Sequence, residues 1–347
     1  MRIPPIEVIA SWPKPNYTNP ESRAPVGRVV GSIFIVLVTI ILAIRLYSRK
    51  QLTKGCGFDD IFICLAYFPT AAFTIAGIIT QEEFQWSRHI WDIEPKFYSP
   101  NLILTLIHLF LFDLATSLTK LSMLAMVRRL TAASNNKLEN AAALVLAILI
   151  TANCLIFIMV EIFQCRPISA AWKLRTTSHG CINEEAHLMA ANVINTATDF
   201  AVVLLPLRTV MRVRLSPRQR MVVASLFGVA LIGSAAGIGR TYFTWRLLHA
   251  EDYDRTWRAW NVWLSSLIEL HLGIMCASAP ALKSFFTSSI HKRQTSLFSP
   301  STMLYSDDIG LHMPVPPLLK KNTSSIRSSP TSFADTYRAD SFAAPEL

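Results

Sequence analysis

Hydrophobic positions along this chain gather into long unbroken runs rather than short alternating ones. Seven runs stand out, at about 29–47, 59–80, 101–127, 140–163, 187–210, 221–245 and 259–282. Each is close to or above the roughly 20 apolar residues that carry a helix across a bilayer. Short polar or basic segments separate them. The pattern predicts an all-α, polytopic membrane protein: a seven-transmembrane helix bundle over 29–283. A Pro-rich segment without regular structure precedes it at 1–28, and a Ser-, Thr- and Pro-rich disordered tail follows at 284–347.

Polar residues inside the runs say which faces meet other helices. The third run contains Asp113 and Lys120, two helical turns apart and roughly 10 Å along the axis. Lys120 leans back toward Asp113, because helical side chains tilt toward the N-terminus. A lone charge in hydrocarbon costs at least about 2.5–3.5 kcal/mol, so both should face the bundle interior. Asn153 and Glu161 in the fourth run, Asn192, Asn195 and Asp199 in the fifth, Arg240 in the sixth, and Glu269 and His271 in the seventh complete an interior set. Two readings are open. These groups fix helix register through cross-helix hydrogen bonds, or they line a ligand pocket or switch. Lys120 lies where a salt bridge to Asp199 or Glu269 would hold a resting state. Gly233 and Gly237 form a small-xxx-small stripe for close helix contact, and Pro206 is expected to kink the fifth run.

Charge sets the orientation. Only 16% of residues are charged and 52% are hydrophobic, against about 25% charged in a soluble domain. The net charge of +10 resides mostly in short clusters between runs, as topology requires, and no nucleic-acid recognition motif accompanies it. Segments after runs one, three and five carry Arg45, Arg49, Lys50 and Lys54, then Arg128, Arg129 and Lys137, then Arg208, Arg212, Arg214, Arg218 and Arg220. They outweigh the alternate loops, which places them in the cytosol and the N-terminus outside. Asp59 and Asp60 open the second run at that cytoplasmic face, either capping the helix or pairing with Lys54 or Arg128. Arg208 to Arg220 also suits anionic headgroups. With this orientation the Asn16 sequon is open to glycosylation, while the one at Asn322 is cytosolic. Cys165 and Cys181 end a non-cytosolic loop, where a disulfide would contribute about 3 kcal/mol. The other cysteines fall in or beside runs as apolar fillers. No catalytic triad, phosphate-binding glycine loop or metal-ligand pair is present, so no cofactor or metal is expected.

Six motifs recur in one order: GFDD opening run two, LTKLSMLAMVRRL ending run three, the CRPISAAW…C loop, TDFAVVLLP in run five, the G…R end of run six and the IE of run seven. Together they resemble the fungal rhodopsin-like integral membrane domain, which covers satratoxin-cluster-type membrane proteins and GPCR-like surface sensors of plant-infecting fungi. The resemblance covers about 30–285. It implies seven helices, a membrane location and a receptor role. Some relatives carry a cysteine-rich extracellular domain ahead of the spans. This chain has no cysteine before Cys56, so sensing by that module is not expected. Retinal is not expected either, because the candidate Schiff-base lysine, Lys283, falls at the cytosolic end of the last run.

Three functional readings follow. A GPCR-like receptor would bind a small-molecule ligand from outside and a heterotrimeric G protein at Arg208–Arg220. A membrane-embedded enzyme or accessory protein of a secondary-metabolite pathway would use Asp199 or Glu269 as a buried proton donor. A transporter would use Asp113, Asp199 and Glu269 as proton sites, but the odd span count excludes two equal repeats.

Overall fold

The computed structural model describes residues 4–53, 55, 57–134, 137–172, 180–205 and 217–297. Among them are eight α-helices: α1 (Ile6–Ser11), α2 (Ala24–Ser48), α3 (Phe58–Glu83), α4 (Tyr98–Ser134), α5 (Lys137–Ile162), α6 (Glu184–Leu204), α7 (Pro217–Leu248) and α8 (Arg255–Leu297). The described residues form no strand, only an isolated antiparallel bridge at Cys165 and Cys181. Five helical stretches are long and apolar enough to span a membrane: Ala24–Gln51, Phe58–Glu83, Pro95–Arg129, Lys137–Ile162 and Arg255–Ala279. Their surfaces suit a lipid setting. Val29, Ile33, Val36 and Ile40 on α2, and Ile148, Leu149, Leu155 and Ile156 on α5, are large apolar side chains left exposed by the bundle.

The two remaining long helices correspond to the fifth and sixth runs. Asn192, Asn195 and Asp199 dilute the hydropathy of α6, which is described to Leu205, while 206–216, with Pro206, Arg208, Arg212 and Arg214, lie outside the described residues. At the other end the chain departs from the expected boundary. α8 continues through Leu297, beyond the tail start expected at 284; the rest of that tail, with Asn322, lies outside the described residues.

α8 is the central helix. In its most apolar window 56% of residues are buried, against 22% for α2 and α5. Phe73, Phe112, Ala115, Trp263, Leu267 and Leu270 form one core cluster between α3, α4 and α8. Val38, Leu42, Ile63, Ile274 and Ala277 form a second between α2, α3 and α8. Close approach relies on glycine at Gly77, where a Cβ would collide with the indole nitrogen of Trp263. Gly237 plays the same part between α7, α6 and α8: a Cβ there would lie 3.2 Å from both Glu269 Oε2 and Thr196 Oγ1.

The amino-terminal segment holds more regular structure than expected for 1–28: α1 forms at Ile6–Ser11 and α2 already begins at Ala24, while 12–23 has no helix or strand. Proline-rich sequence lacks local periodicity, but tertiary contacts hold it. Trp12 Nε1 donates to the Asp252 carbonyl at 2.9 Å, and the Asn16 amide to Asp92 Oδ1 at 2.8 Å. Arg23 lies 3.7 Å over the Trp257 ring. His89 stacks between Trp91 and Trp257, at 4.7 and 4.1 Å, and its Nδ1 is in hydrogen-bond contact with Asp254 Oδ2 at 2.5 Å. This face, which we call the N-terminal face, also carries the Cys165–Cys181 disulfide. Its short ladder runs from the Arg166 amide to the Gly180 carbonyl and from the Ile182 amide to the Gln164 carbonyl. Gly180 takes a left-handed φ of +80°, which suits glycine.

Candidate functional site: buried ionic clusters between the helices

The first cluster lies in the middle of the bundle. Lys120 on α4 is buried, and its ammonium donates to the Asn195 carbonyl at 2.9 Å, to Asn195 Oδ1 at 2.8 Å and to Thr198 Oγ1 at 2.8 Å. It pairs with Asp199 Oδ1 at 3.1 Å. Asn195 then passes the contact onward: its Nδ2 donates to Asp199 Oδ2 at 3.3 Å and to Glu269 Oε1 at 2.6 Å. Glu269 accepts from Arg240 Nε at 3.0 Å, and Arg240 Nη1 donates to Asn192 Oδ1. The Arg240 guanidinium also lies 4.3 Å over the Phe112 ring. One connected set of polar side chains thus ties α4, α6, α7 and α8. The i, i+3, i+7 spacing of Asn192, Asn195 and Asp199 creates it, by giving α6 one polar face. A cavity of about 40 Å³ adjoins Lys120, Asp199 and Glu269, room for a few waters.

The sequence spacing suggested that Lys120 leans on Asp113. Lys120 instead crosses to α6 and meets Asp199, one of the two cross-helix partners expected for it. Asp113 lies beside α5, where Cys154 Sγ donates to its main-chain carbonyl at 3.8 Å. Spacing on one helix sets a shared face, but the neighbouring helix decides which partner is nearer. His271 stands apart from this set. Buried between α3 and α2, its Nε2 lies 3.4 Å from Thr74 Oγ1 and its ring 5.4 Å from Phe34. Asn153 is half-buried on α5 and joins none of these bonds.

The second cluster lies at the face opposite the N-terminal one. Asp59 and Asp60 are both buried. Asp60 does cap α3, accepting from the Gly57 amide at 3.2 Å, but capping is only part of its work. Arg45 is fully buried. It donates from Nε to Asp60 Oδ1 at 3.0 Å, from Nη2 to Asp59 Oδ2 at 2.8 Å, and from Nη1 to the Ala277 carbonyl. Arg49 adds a bond to Asp59 Oδ2 at 3.0 Å, and Arg129 approaches Asp59 Oδ1 at 3.5 Å. Ser122 Oγ donates to the Asp59 carbonyl at 2.7 Å. Of the partners expected for the aspartates, Arg128 donates to Asn140 Oδ1, and Lys54 lies outside the described residues. The sequence reading missed Arg45, which it treated as a topology marker. The available signal was its place within the apolar run IILAIRLY, not after it.

Comparison with known proteins places these features. The model of the fungal rhodopsin domain matches residues 44–288. A SAT4 family membrane protein of Emericella nidulans is 28% identical over 40% of this chain and 33% of its own length. Receptor GIN3 of Arthrobotrys oligospora is 22% identical over 72% of this chain and 60% of its own. Wortmanamides biosynthesis cluster protein C of Talaromyces wortmannii is 23% identical over 73% of this chain and 68% of its own. The chain therefore spans a third and three fifths of the first two relatives. No solved structure matches significantly. The match of the family model across most of the chain, on an all-helical bundle with apolar spanning helices, shows that the chain belongs to the fungal rhodopsin domain family.

Proposed function

We propose that this chain is a seven-span membrane receptor or sensor without retinal, its N-terminus outside and its C-terminus in the cytosol. The observation that carries the reading is the single polar lattice joining α4, α6, α7 and α8 through Lys120, Asn195, Asp199, Arg240 and Glu269. Buried ion pairs add little stability over apolar packing of the same volume, and their best-attested use is to select between arrangements. A lattice across four helices is an element that a ligand can bias. The N-terminal face carries the disulfide and an exposed Asn16, which suits an oxidising, glycosylating compartment. The relative named as a receptor supports the same reading. A small molecule enters at the N-terminal face, and a heterotrimeric G protein engages the basic segment with Arg208, Arg212 and Arg214.

The test is G-protein activation by the surface-expressed full chain. Lys120→Met is expected to raise basal coupling. Arg212→Glu with Arg214→Glu is expected to abolish coupling while surface expression persists. Coupling that ignores all three substitutions refutes the reading. Relatives named for biosynthesis clusters favour a second reading, an accessory or enzyme of a secondary-metabolite pathway. In that case Asp199→Asn accumulates a pathway precursor in the host and leaves G-protein activity unaltered.

A further inference from the structure

Buried threonines in these helices commonly bond back onto their own backbone. Thr70, Thr74, Thr80 and Thr119 each donate to the carbonyl four residues earlier, which satisfies the hydroxyl within the helix. Thr244 of α7 departs from this habit. It is 3% exposed, and its Oγ1 has no partner. One turn earlier on the same face, Arg240 is 5% exposed, and its buried Nη2 has none either. Buried polar groups are normally hydrogen-bonded, so two open ones a single turn apart call for a partner from outside the chain. Helical side chains tilt toward the N-terminus, so Thr244 leans back toward Arg240. The Arg240 guanidinium lies over the Phe112 ring at 4.3 Å.

The same face of α7 leads to open space. Leu248, one turn beyond Thr244, lines a cavity of about 320 Å³ at the N-terminal face, together with Leu247 and Tyr253. That volume is within the range of small-molecule pockets. Charges beside the cavity are already met. His249 Nε2 lies 3.1 Å from Glu185 Oε1, and Arg255 Nη1 lies 3.6 Å from Glu184 Oε2. Deeper in, Arg240 Nε meets Glu269 Oε2 at 3.0 Å, so the guanidinium charge is balanced too. An anion would add uncompensated negative charge at membrane depth, which is expensive. What stays open is hydrogen-bonding capacity rather than charge: a guanidinium N–H and a hydroxyl, both able to donate.

We propose that Arg240 and Thr244 form a ligand site for a neutral molecule with an apolar body and a carbonyl oxygen, such as a ketone, ester or lactone. The carbonyl oxygen accepts from Arg240 Nη2 and Thr244 Oγ1, and the apolar body extends along α7 into the cavity at Leu248. The inference rests on the receptor reading for the purpose of the site and names the class of ligand. Occupancy reaches the central lattice directly, because the same guanidinium holds Glu269 and Asn192.

Infrared spectroscopy of the purified full chain in lipid nanodiscs tests this with three ten-carbon probes, methyl octyl ketone, methyl nonanoate and γ-decalactone, each isotopically labelled at the carbonyl. At least one is expected to give a saturable C=O band at lowered frequency that empty nanodiscs do not show. Decanoate is expected not to compete for it. Thr244→Val is expected to weaken binding about tenfold, the worth of one hydrogen bond. It removes a buried hydroxyl without a partner, so the unliganded chain should melt no lower than the unaltered one. Thr244→Ser keeps the hydroxyl and is expected to keep binding. No shifted band with any probe overturns the proposal and leaves water as the partner of both groups. Equal affinity in Thr244→Val, an equal loss in Thr244→Ser, or competition by decanoate overturns it as well. Basal coupling of Lys120→Met needs no ligand, so the receptor reading stands or falls separately.

Discussion

Arg45 shows how a single charge is made tolerable inside a membrane helix. Its guanidinium meets two carboxylates and a carbonyl, so its planar fork of donors is matched from three directions. Removing one partner of such a cluster strands the other charge, at about 3–5 kcal/mol. Arg45→Met should therefore unfold the protein at a clearly lower temperature in a thermal-shift assay. Arg45→Lys should recover only part of the loss, because an ammonium cannot fork. A melting temperature unmoved by Arg45→Met would contradict this account. At this scale the sequence is legible where a charge is isolated among apolar neighbours: Lys120, Asp199, Arg240 and Glu269 all proved to be interior. What it hides is partner choice. Lys120 was expected to lean toward Asp113 or to bridge to Asp199 or Glu269; the approach of α6 to α4 decides for Asp199, and no spacing within α4 encodes that.

Helices α3 and α8 meet along a seam that is set by one small residue. Trp263 Nε1 lies over Gly77, and one helical turn closer to the N-terminal face Trp260 Nε1 donates to Gln81 Oε1 at 2.8 Å. A larger side chain at Gly77 must displace the indole from a core that also holds Phe73 and Leu267. Gly77→Leu is expected to destabilise by about 1–3 kcal/mol, read as a lower melting temperature, and Trp263→Phe in the same chain should relieve part of it. Lack of relief would mean that the strain lies elsewhere. Whole elements were the most legible part of the sequence, because an apolar run of membrane length admits few alternatives to a helix. The exceptions have physical causes. α6 carries polar groups that serve the interior at the expense of its apolar character, and α8 runs past the last apolar run to Leu297, because a fall in hydropathy is not itself a helix stop.

Across the whole molecule, the N-terminal face is assembled from segments far apart in sequence. That distance is why its order could not be read from the proline-rich stretch alone. Its loops are held partly by charge. Burial pushes the Asp252 carboxyl up, but hydrogen bonds from Arg258 and the Asp254 amide outweigh this and hold it below the usual carboxylate range. The Glu94 carboxyl is likewise held low, by hydrogen bonds from Lys96 and Gln85. A depressed carboxyl stabilises the folded face above its unfolded pKa, about 3.9 for aspartate, and the contribution disappears as pH falls through the folded value. Pepsin should therefore cut the segment between Trp12 and Arg23 progressively faster, relative to an unstructured control peptide, as pH drops below about 4. Asp252→Asn should weaken that pH dependence.

The seam between α2 and α8 has a consequence for biogenesis. Three bonds stitch it from end to end: Trp12 to the Asp252 carbonyl just before α8, Arg23 to Asn261, and Arg45 to the Ala277 carbonyl. Each joins residues more than 230 positions apart in the chain. Among the long helices described, α2 is made before the others, yet its neighbour on that side, α8, is made after them. Throughout synthesis the edge of α2 that α8 will cover stays open to lipid or to a chaperone. A chain halted before α8 presents the quality-control machinery with an uncovered flank and an arginine short of its carbonyl.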